Sequence, residues 1–477
     1  MFDDDPPLYD NLGELSYPIT TDNPMAQRYF DQGLRLAYAF NHVEAWRAFR
    51  KARQLDPECA MCYWGEAFAL GPNINAPIEP AAMRQAVAAI ENAKARMTDE
   101  NARERALIQA LEKRYSIEPE ADQAALNEAY ANAMGEVAAR FPGDVDIASM
   151  YADALMNLSP WNYWEADGLT LKAPVGKLVE TLGRALAKAP NHPYAIHLYI
   201  HAMEASKAPE RAEVYADRLG AQIPGAGHLL HMPFHIYFRT GRFRDAIAVN
   251  ENAVAADEAY LARAGSEASE MYAFGYYPHN VHSLLESARM AGDAKTALVA
   301  SRKLPGLLSD SVTAAVPWVQ MIEAAPYFAH AQFSDPAITL REPDPGNRFP
   351  YVKAMWHYAR GVALAARGDT NAARREADAI AVIGKDEDIS ALDAGGVPAS
   401  ELLRLARRVV AGRIAQAEHN YERAVGEFRQ AVKIQDSLFY MEPPFWYYPV
   451  SQSLGAALLQ ADRFTDAETV FRESLAG

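Results

Sequence analysis

The stretch Gly33-Leu-Arg-Leu-Ala-Tyr-Ala-Phe-Asn-His-Val-Glu-Ala-Trp-Arg-Ala-Phe-Arg-Lys-Ala-Arg-Gln-Leu-Asp-Pro57 reads as parts of two helices joined by a short turn. Gly33, Ala45, Phe49, Ala52 and Pro57 each have a packing reason. Small residues let one helix approach the next, the aromatic fills the gap between them, and proline ends the second helix. The set returns as Gly412, Ala424, Phe428 and Ala431, and again as Gly455, Ala467 and Phe471, while Ala212 and Ala246 lie 34 positions apart. Such a unit recurring along 477 residues predicts an array of helix pairs, each burying its apolar face against its neighbours.

The spacing is that of tetratricopeptide (TPR) repeats, and the chain resembles TPR proteins over residues 25–477, behind an N-terminal arm of residues 1–24. The resemblance implies an all-α, right-handed superhelix (an α-solenoid) of about nine to eleven helix pairs. Several segments interrupt the rhythm: Gly71-Pro-Asn-Ile-Asn-Ala-Pro77, the aromatic loop Ser159-Pro-Trp-Asn-Tyr-Trp-Glu-Ala-Asp-Gly168, a longer link over 261–277, and a polar loop over 334–350. Phe40-Asn-His-Val-Glu-Ala45, Cys59-Ala-Met-Cys-Tyr-Trp-Gly65, Gly71-Pro-Asn-Ile-Asn75 and His228-Leu-Leu-His-Met-Pro-Phe-His235 resemble segments of uncharacterised bacterial TPR proteins, which supply no activity.

Hydrophobic residues at 50% and charged residues at 23% exclude a disordered chain. A formal charge of −16 argues against a nucleic-acid partner, which needs clustered Lys and Arg to displace counterions. No apolar run has membrane-spanning length. The opening Met1-Phe-Asp-Asp-Asp-Pro-Pro-Leu8 lacks the features of a secretory signal. A soluble cytoplasmic protein is expected from the chain as it stands, and an exported one if a leader has been removed.

The histidines carry the functional signal. Seven of the twelve fall between His197 and His282. His197 and His231 are 34 apart, as are His201 and His235, so successive repeats carry the same pair at the same place within the central repeats of 193–311. Aligning Gly241 with Gly292 then sets His282 on His231, His279 on His228 and Glu286 on His235. In TPR superhelices these early first-helix positions line the concave groove. Residues four apart share a helix face about 6 Å from each other, and Glu204 follows His201 by one turn. Imidazoles stacked in register would repel once protonated, whereas neutral imidazole is a good ligand for copper, iron and zinc. The pattern predicts a metal site of His197, His201, His231, His235 and His282, supported by Glu204, His228 and His279. His42 reads as orienting a neighbour, and His192, His330, His357 and His419 as structural or exposed.

Other candidates follow from chemistry or position. Glu286 and Tyr277 are candidate catalytic groups beside the metal. Trp64, Asn73, Asn75, Trp161, Trp164, Trp446 and Tyr447 are candidates to line a ligand site. Cys59 and Cys62 form a CxxC at a helix start, read as a structural disulfide or buried thiol pair, with a redox pair as the alternative. They are expected to lie apart from the histidines. The chain is thus expected to be a metal-dependent enzyme acting on a small organic or peptide ligand in its groove. Copper or iron is favoured over zinc, and oxidation over hydrolysis, because bridging carboxylates are scarce. The alternatives are a protein-interaction scaffold, the usual TPR role, and metal storage or delivery.

Overall fold

The computed structural model describes residues 6–265 and 268–476. Its regular structure is helical. Among the described residues there is no strand, only two isolated bridges that pin loops, Asn73 with Ala76 and Trp164 with Leu171. The all-α expectation holds. No described helix is long and apolar enough to cross a membrane. The chain divides into two compact units, Met1–Tyr272 and Ala273–Gly477.

The first unit contains α1 (Pro24–Tyr38), α2 (His42–Leu55), α3 (Ala60–Leu70), α4 (Pro80–Arg96), α5 (Ala102–Glu112), α6 (Gln123–Arg140) and α7 (Val145–Met156). It continues with α8 (Leu178–Lys188), α9 (Pro193–Glu204), α10 (Glu213–Leu219), α11 (Gly227–His231), α12 (Pro233–Arg239) and α13 (Phe243–Ala264). The starts follow from caps. Asn23 Oδ1 accepts the Met25 and Ala26 N–H groups ahead of Pro24, and Asp144 Oδ1 accepts from Ile147. The N-terminal arm is bound into this unit. Ser16 and the Tyr17 N–H bond to the carboxylate of Asp31, and the Gly225 N–H donates to the Asn11 carbonyl at 2.8 Å.

The repeat logic is visible atom by atom. The Phe49 ring lies between Gly33 of α1 and Gly65 of α3. A Cβ on Gly33 would stand 2.7 Å from that ring, and one on Gly65 closer still. The second unit repeats the device, where a Cβ on Gly412 would meet Phe428 at 2.7 Å and one on Gly455 would meet Phe471 at 2.5 Å. Side-by-side packing of successive helices requires a residue with no side chain at these points.

In the second unit the main helices are Tyr277–Met290, Ala294–Lys303, Val319–Phe333, Pro350–Ala366, Thr370–Ile383, Ala399–Ala417, Tyr421–Asp436, Ser451–Gln460 and Phe464–Ala476. The 334–350 stretch, expected as an irregular loop, contains one helical turn, Pro336–Thr339.

Gly33→Ala and Gly65→Ala should each cost about 1–3 kcal/mol by overpacking against Phe49. Gly143→Ala, where a Cβ meets nothing within 4 Å, should stay within about 0.5 kcal/mol of the parent. Equal denaturation midpoints for all three variants would contradict this packing account.

Candidate metal centre

α9 is built to lie inside. Pro193 occupies its first turn, His192 Nδ1 caps it by accepting the Ala195 N–H at 3.3 Å, and every residue from Pro193 to Glu204 is buried. A helix apolar on all sides is one that protein surrounds. His197 and His201 are thus core residues, 0% and 2% exposed, and His231 on α11 is equally enclosed at 0%. This corrects the expectation of an open groove: tyrosine, leucine and isoleucine around the histidines of α9 force them into the interior.

Five imidazoles converge in the first unit. A ring nitrogen from each of His197, His201 and His228 lies within 4.8 Å of the others, and ligand atoms of His201, Glu204 and His235 are equally close. His228 Nε2 is 3.1 Å from His197 Nε2, and His231 Nε2 is 3.0 Å from His235 Nε2. For comparison, nitrogens at about 2.1 Å from a tetrahedral ion stand about 3.4 Å apart.

The outer nitrogens fix what the inner ones carry. His197 Nδ1 faces the Tyr38 carbonyl at 2.8 Å, and His201 Nδ1 faces Glu204 Oε1 at 2.7 Å. His235 Nδ1 lies 2.8 Å from Glu204 Oε2. His231 Nδ1 faces Asn250 Oδ1 at 2.7 Å, and that amide is oriented because its Nδ2 donates to the Ala246 carbonyl at 2.9 Å. The Tyr38 carbonyl, Glu204 Oε1 and Asn250 Oδ1 are acceptors, so Nδ1 of His197, His201 and His231 carries the proton and donates. A neutral imidazole protonated at Nδ1 presents a lone pair at Nε2. On His231 that lone pair faces His235 Nε2 at 3.0 Å, where it can accept a proton from that ring or bind a metal cation. His201 Nε2 is buried without a hydrogen-bond partner.

Electrostatics favours the unprotonated rings. Burial, and then the neighbouring rings, holds His197 and His228 well below the usual histidine range, and burial lowers His201. Burial alone would raise Glu204, but the His235 and His201 imidazoles outweigh it and keep the carboxylate ionised far into acid. Glu204, expected as a ligand or as support behind the ligands, accepts from His201 Nδ1 and lies 2.8 Å from His235 Nδ1.

Two aromatic residues enclose the cluster. Phe40, at the end of α1, has φ 57°, a left-handed conformation costly for a bulky side chain. Its ring centroid lies 4.4 Å from His197, 5.3 Å from His228 and 6.2 Å from His201. Trp161 meets His201 edge-on at 5.0 Å and is half-exposed. Trp164 holds that loop down by donating from Nε1 to the Ala202 carbonyl at 2.8 Å.

His279, His282 and Glu286 share the helix Tyr277–Met290 of the second unit. His282 Nε2 lies 3.6 Å from Glu286 Oε1. Glu286 is also gripped by Arg289 Nη1 at 2.6 and 2.8 Å. Tyr277 is buried, with Lys303 Nζ 5.8 Å from its ring centroid. Tyr447 stacks on Phe328 at 4.6 Å and Trp446 meets it edge-on, so both fill the core of the second unit. Trp64 is buried, stacked on Phe68, with Nε1 donating to the Leu107 carbonyl. Asn73 closes its own turn, with Oδ1 accepting from Asn75 and Ala76. Cys59 and Cys62 are bonded to each other, and neither belongs to a potential ligand group among the described residues. Sequence reasoning missed Asn250 and the Tyr38 carbonyl, which have no register relation to the histidines. Phe40 was visible only as part of a shared segment.

Neither known family models nor curated proteins match this chain. Solved structures give distant likenesses. Yeast Tom70 is 12% identical, with 94% of this chain and 84% of that one covered at a TM-score of 0.31. The human IFIT1 dimer with m7Gppp-AAAA is 11% identical, with 96% and 91% covered at 0.30. The TPR domain of P58(IPK) is 10% identical, with 94% and 99% covered at 0.22. Likeness this weak carries no argument about the site.

His42 stacks on Phe40 at 5.6 Å, and both of its ring nitrogens are buried and unpartnered. Burial, aided by Arg114, lowers its pKa to about 4. The unfolded chain takes up that proton near pH 6.5, about where free histidine titrates. Stability from this group is therefore complete above about 6.5 and declines as pH falls toward 4, by about 1.4 kcal/mol per pH unit. His42→Leu should remove one proton from this dependence without loss of stability at pH 7. Urea titrations across the window check it, and an unchanged slope would assign the proton elsewhere.

Proposed function

We propose that His197, His201, His228, His231 and His235 bind a transition-metal ion, and that the chain acts on a small molecule at that centre. The observation that carries the reading is the set of three Nδ1 protons donated to fixed acceptors, Tyr38 O, Glu204 Oε1 and Asn250 Oδ1, which leaves the Nε2 atoms of His197, His201 and His231 as lone-pair donors. Outer hydrogen bonds of this kind set tautomer, orientation and basicity in metal-binding histidines. An all-imidazole set suits copper or iron, with zinc as the alternative. A bound ion of this group supplies Lewis acidity and, for copper or iron, electron exchange. The protein's own part is to keep the rings neutral, fix their direction and exclude bulk water with Phe40 and Trp161. Oxidation remains the preferred reaction class over hydrolysis.

A second reading, a protein-interaction scaffold, is favoured by one feature. A concave surface in the second unit is lined by Arg374, Arg404, Arg407, Arg408 and Arg423, with Asp378 and Glu427 as its acids. It fits an acidic peptide segment, although several of these arginines already pair with Glu401, Glu418 and Glu427.

Protein prepared without a polyhistidine tag should contain about one or more equivalents of copper, iron or zinc by mass spectrometry. His201→Ala and His231→Ala should lose most of it with unchanged circular dichroism. Asn250→Ala should weaken binding about 10–100-fold, as expected for loss of an orienting partner. Metal content unaltered in all three variants, or none in the parent, would sink the assignment. Apo-protein reloaded separately with copper, iron and zinc, then assayed for oxygen uptake and ester hydrolysis, separates the reaction classes. Turnover with zinc alone would reverse the preference for oxidation.

A further inference from the structure

One wall of the metal centre is also the wall of a cavity. It lies within the first unit between the N-terminal arm, the α1–α2 turn, the 224–228 segment and α13, and His228 is part of its lining. Leu12 and Ala259 give it apolar sides, while Asn41, Tyr260 and Arg263 are its polar members. Asn41 is 7% and Tyr260 9% exposed. The Tyr260 hydroxyl lies within hydrogen-bonding reach of the Asn41 side chain, and Asn41 Oδ1 is buried with no hydrogen-bond partner of its own. An orphaned buried acceptor is costly, a cost that a ligand able to donate to it would recover. The Arg263 guanidinium, 5.3 Å from the Tyr9 ring centroid, adds a positive charge to the lining.

We infer that this cavity is the substrate pocket of the metal centre and takes a small hydroxy acid. A hydroxyl of the ligand would donate to Asn41 Oδ1, the Tyr260 hydroxyl would donate to it, and Arg263 would balance the carboxylate. The apolar sides and small size exclude bulky or highly charged molecules. The inference rests on the metal reading, since His228 is what places the pocket beside the ion. It assigns to the N-terminal arm a part in enclosing substrate, and to the α1–α2 turn a double duty: Phe40 packs on the imidazoles while Asn41 faces the ligand.

Cobalt(II) in place of the native ion supplies a visible spectrum that responds to a new ligand, and glycolate is the probe. Full-length cobalt-loaded protein should change its absorption on titration with glycolate. Tyr260→Phe and Asn41→Leu should each weaken that response about tenfold while leaving cobalt content unchanged. Ala259→Phe, which fills the cavity, should abolish the response with cobalt still bound. If filling proves incompatible with folding, seen as lost ellipticity, the two polar variants decide. Cobalt bound without a glycolate response, or an equal response in every variant, overturns the pocket and leaves the metal reading intact. Absence of cobalt uptake by the parent overturns both.

Discussion

Five imidazoles and a carboxylate cannot be buried together unless each proton among them has somewhere to point. That requirement organises the first unit. Glu204 answers it twice, accepting from His201 on its own helix and facing His235 on α12, so one buried carboxylate sets the register of α9 against α12. Asn250 does the same for α13 through His231, and the end of α1 is tied in through the Tyr38 carbonyl and His197. Five separate helices are aligned by the outer nitrogens of a cluster whose inner nitrogens are left to converge. A shift of one helix by a turn would break these bonds and strand protons in an apolar interior, so the polar cluster helps to specify the fold it sits in.

The two levels of organisation were unequally legible. The glycine–aromatic device is local, since Gly33, Phe49 and Gly65 sit at fixed offsets within one repeat and its neighbour, and periodicity therefore found it. The histidines were found for the same reason, because the repeat copies His197 and His201 onto His231 and His235. What sets their tautomers is not periodic. A backbone carbonyl at Tyr38 has no sequence signature, and Asn250 stands 19 residues from the ring it orients, on a helix whose repeat mates carry no equivalent. The groove assignment failed on burial, because the position of a side chain within a repeat sets its direction but not what covers it. Here the cover includes Phe40 and Trp161, whose loops break the repeat. The aromatic residues were harder still. Trp161 and Trp164 do lie beside α9, whereas Trp64, Trp446 and Tyr447 fill seams, and composition does not distinguish the two.

Charge is the last constraint. In the proposed centre, a divalent ion on neutral imidazoles would bring two positive charges into an interior where Glu204 supplies one negative charge among the cluster's own side chains. The thiolates that neutralise many structural zinc sites are absent from the cluster, since Cys59 and Cys62 are joined to each other. An uncompensated charge in a medium of low dielectric attracts an anion far more strongly than it would in water. A closed structural ion gains nothing from that attraction, but a centre that must draw in a carboxylate or a hydroxide depends on it. On that proposal Glu204 would serve the site better behind the rings than on the ion: as a direct ligand it would cancel the charge that recruits substrate, whereas as an acceptor for the His201 Nδ1 proton it would raise that ring's basicity and leave the attraction in place.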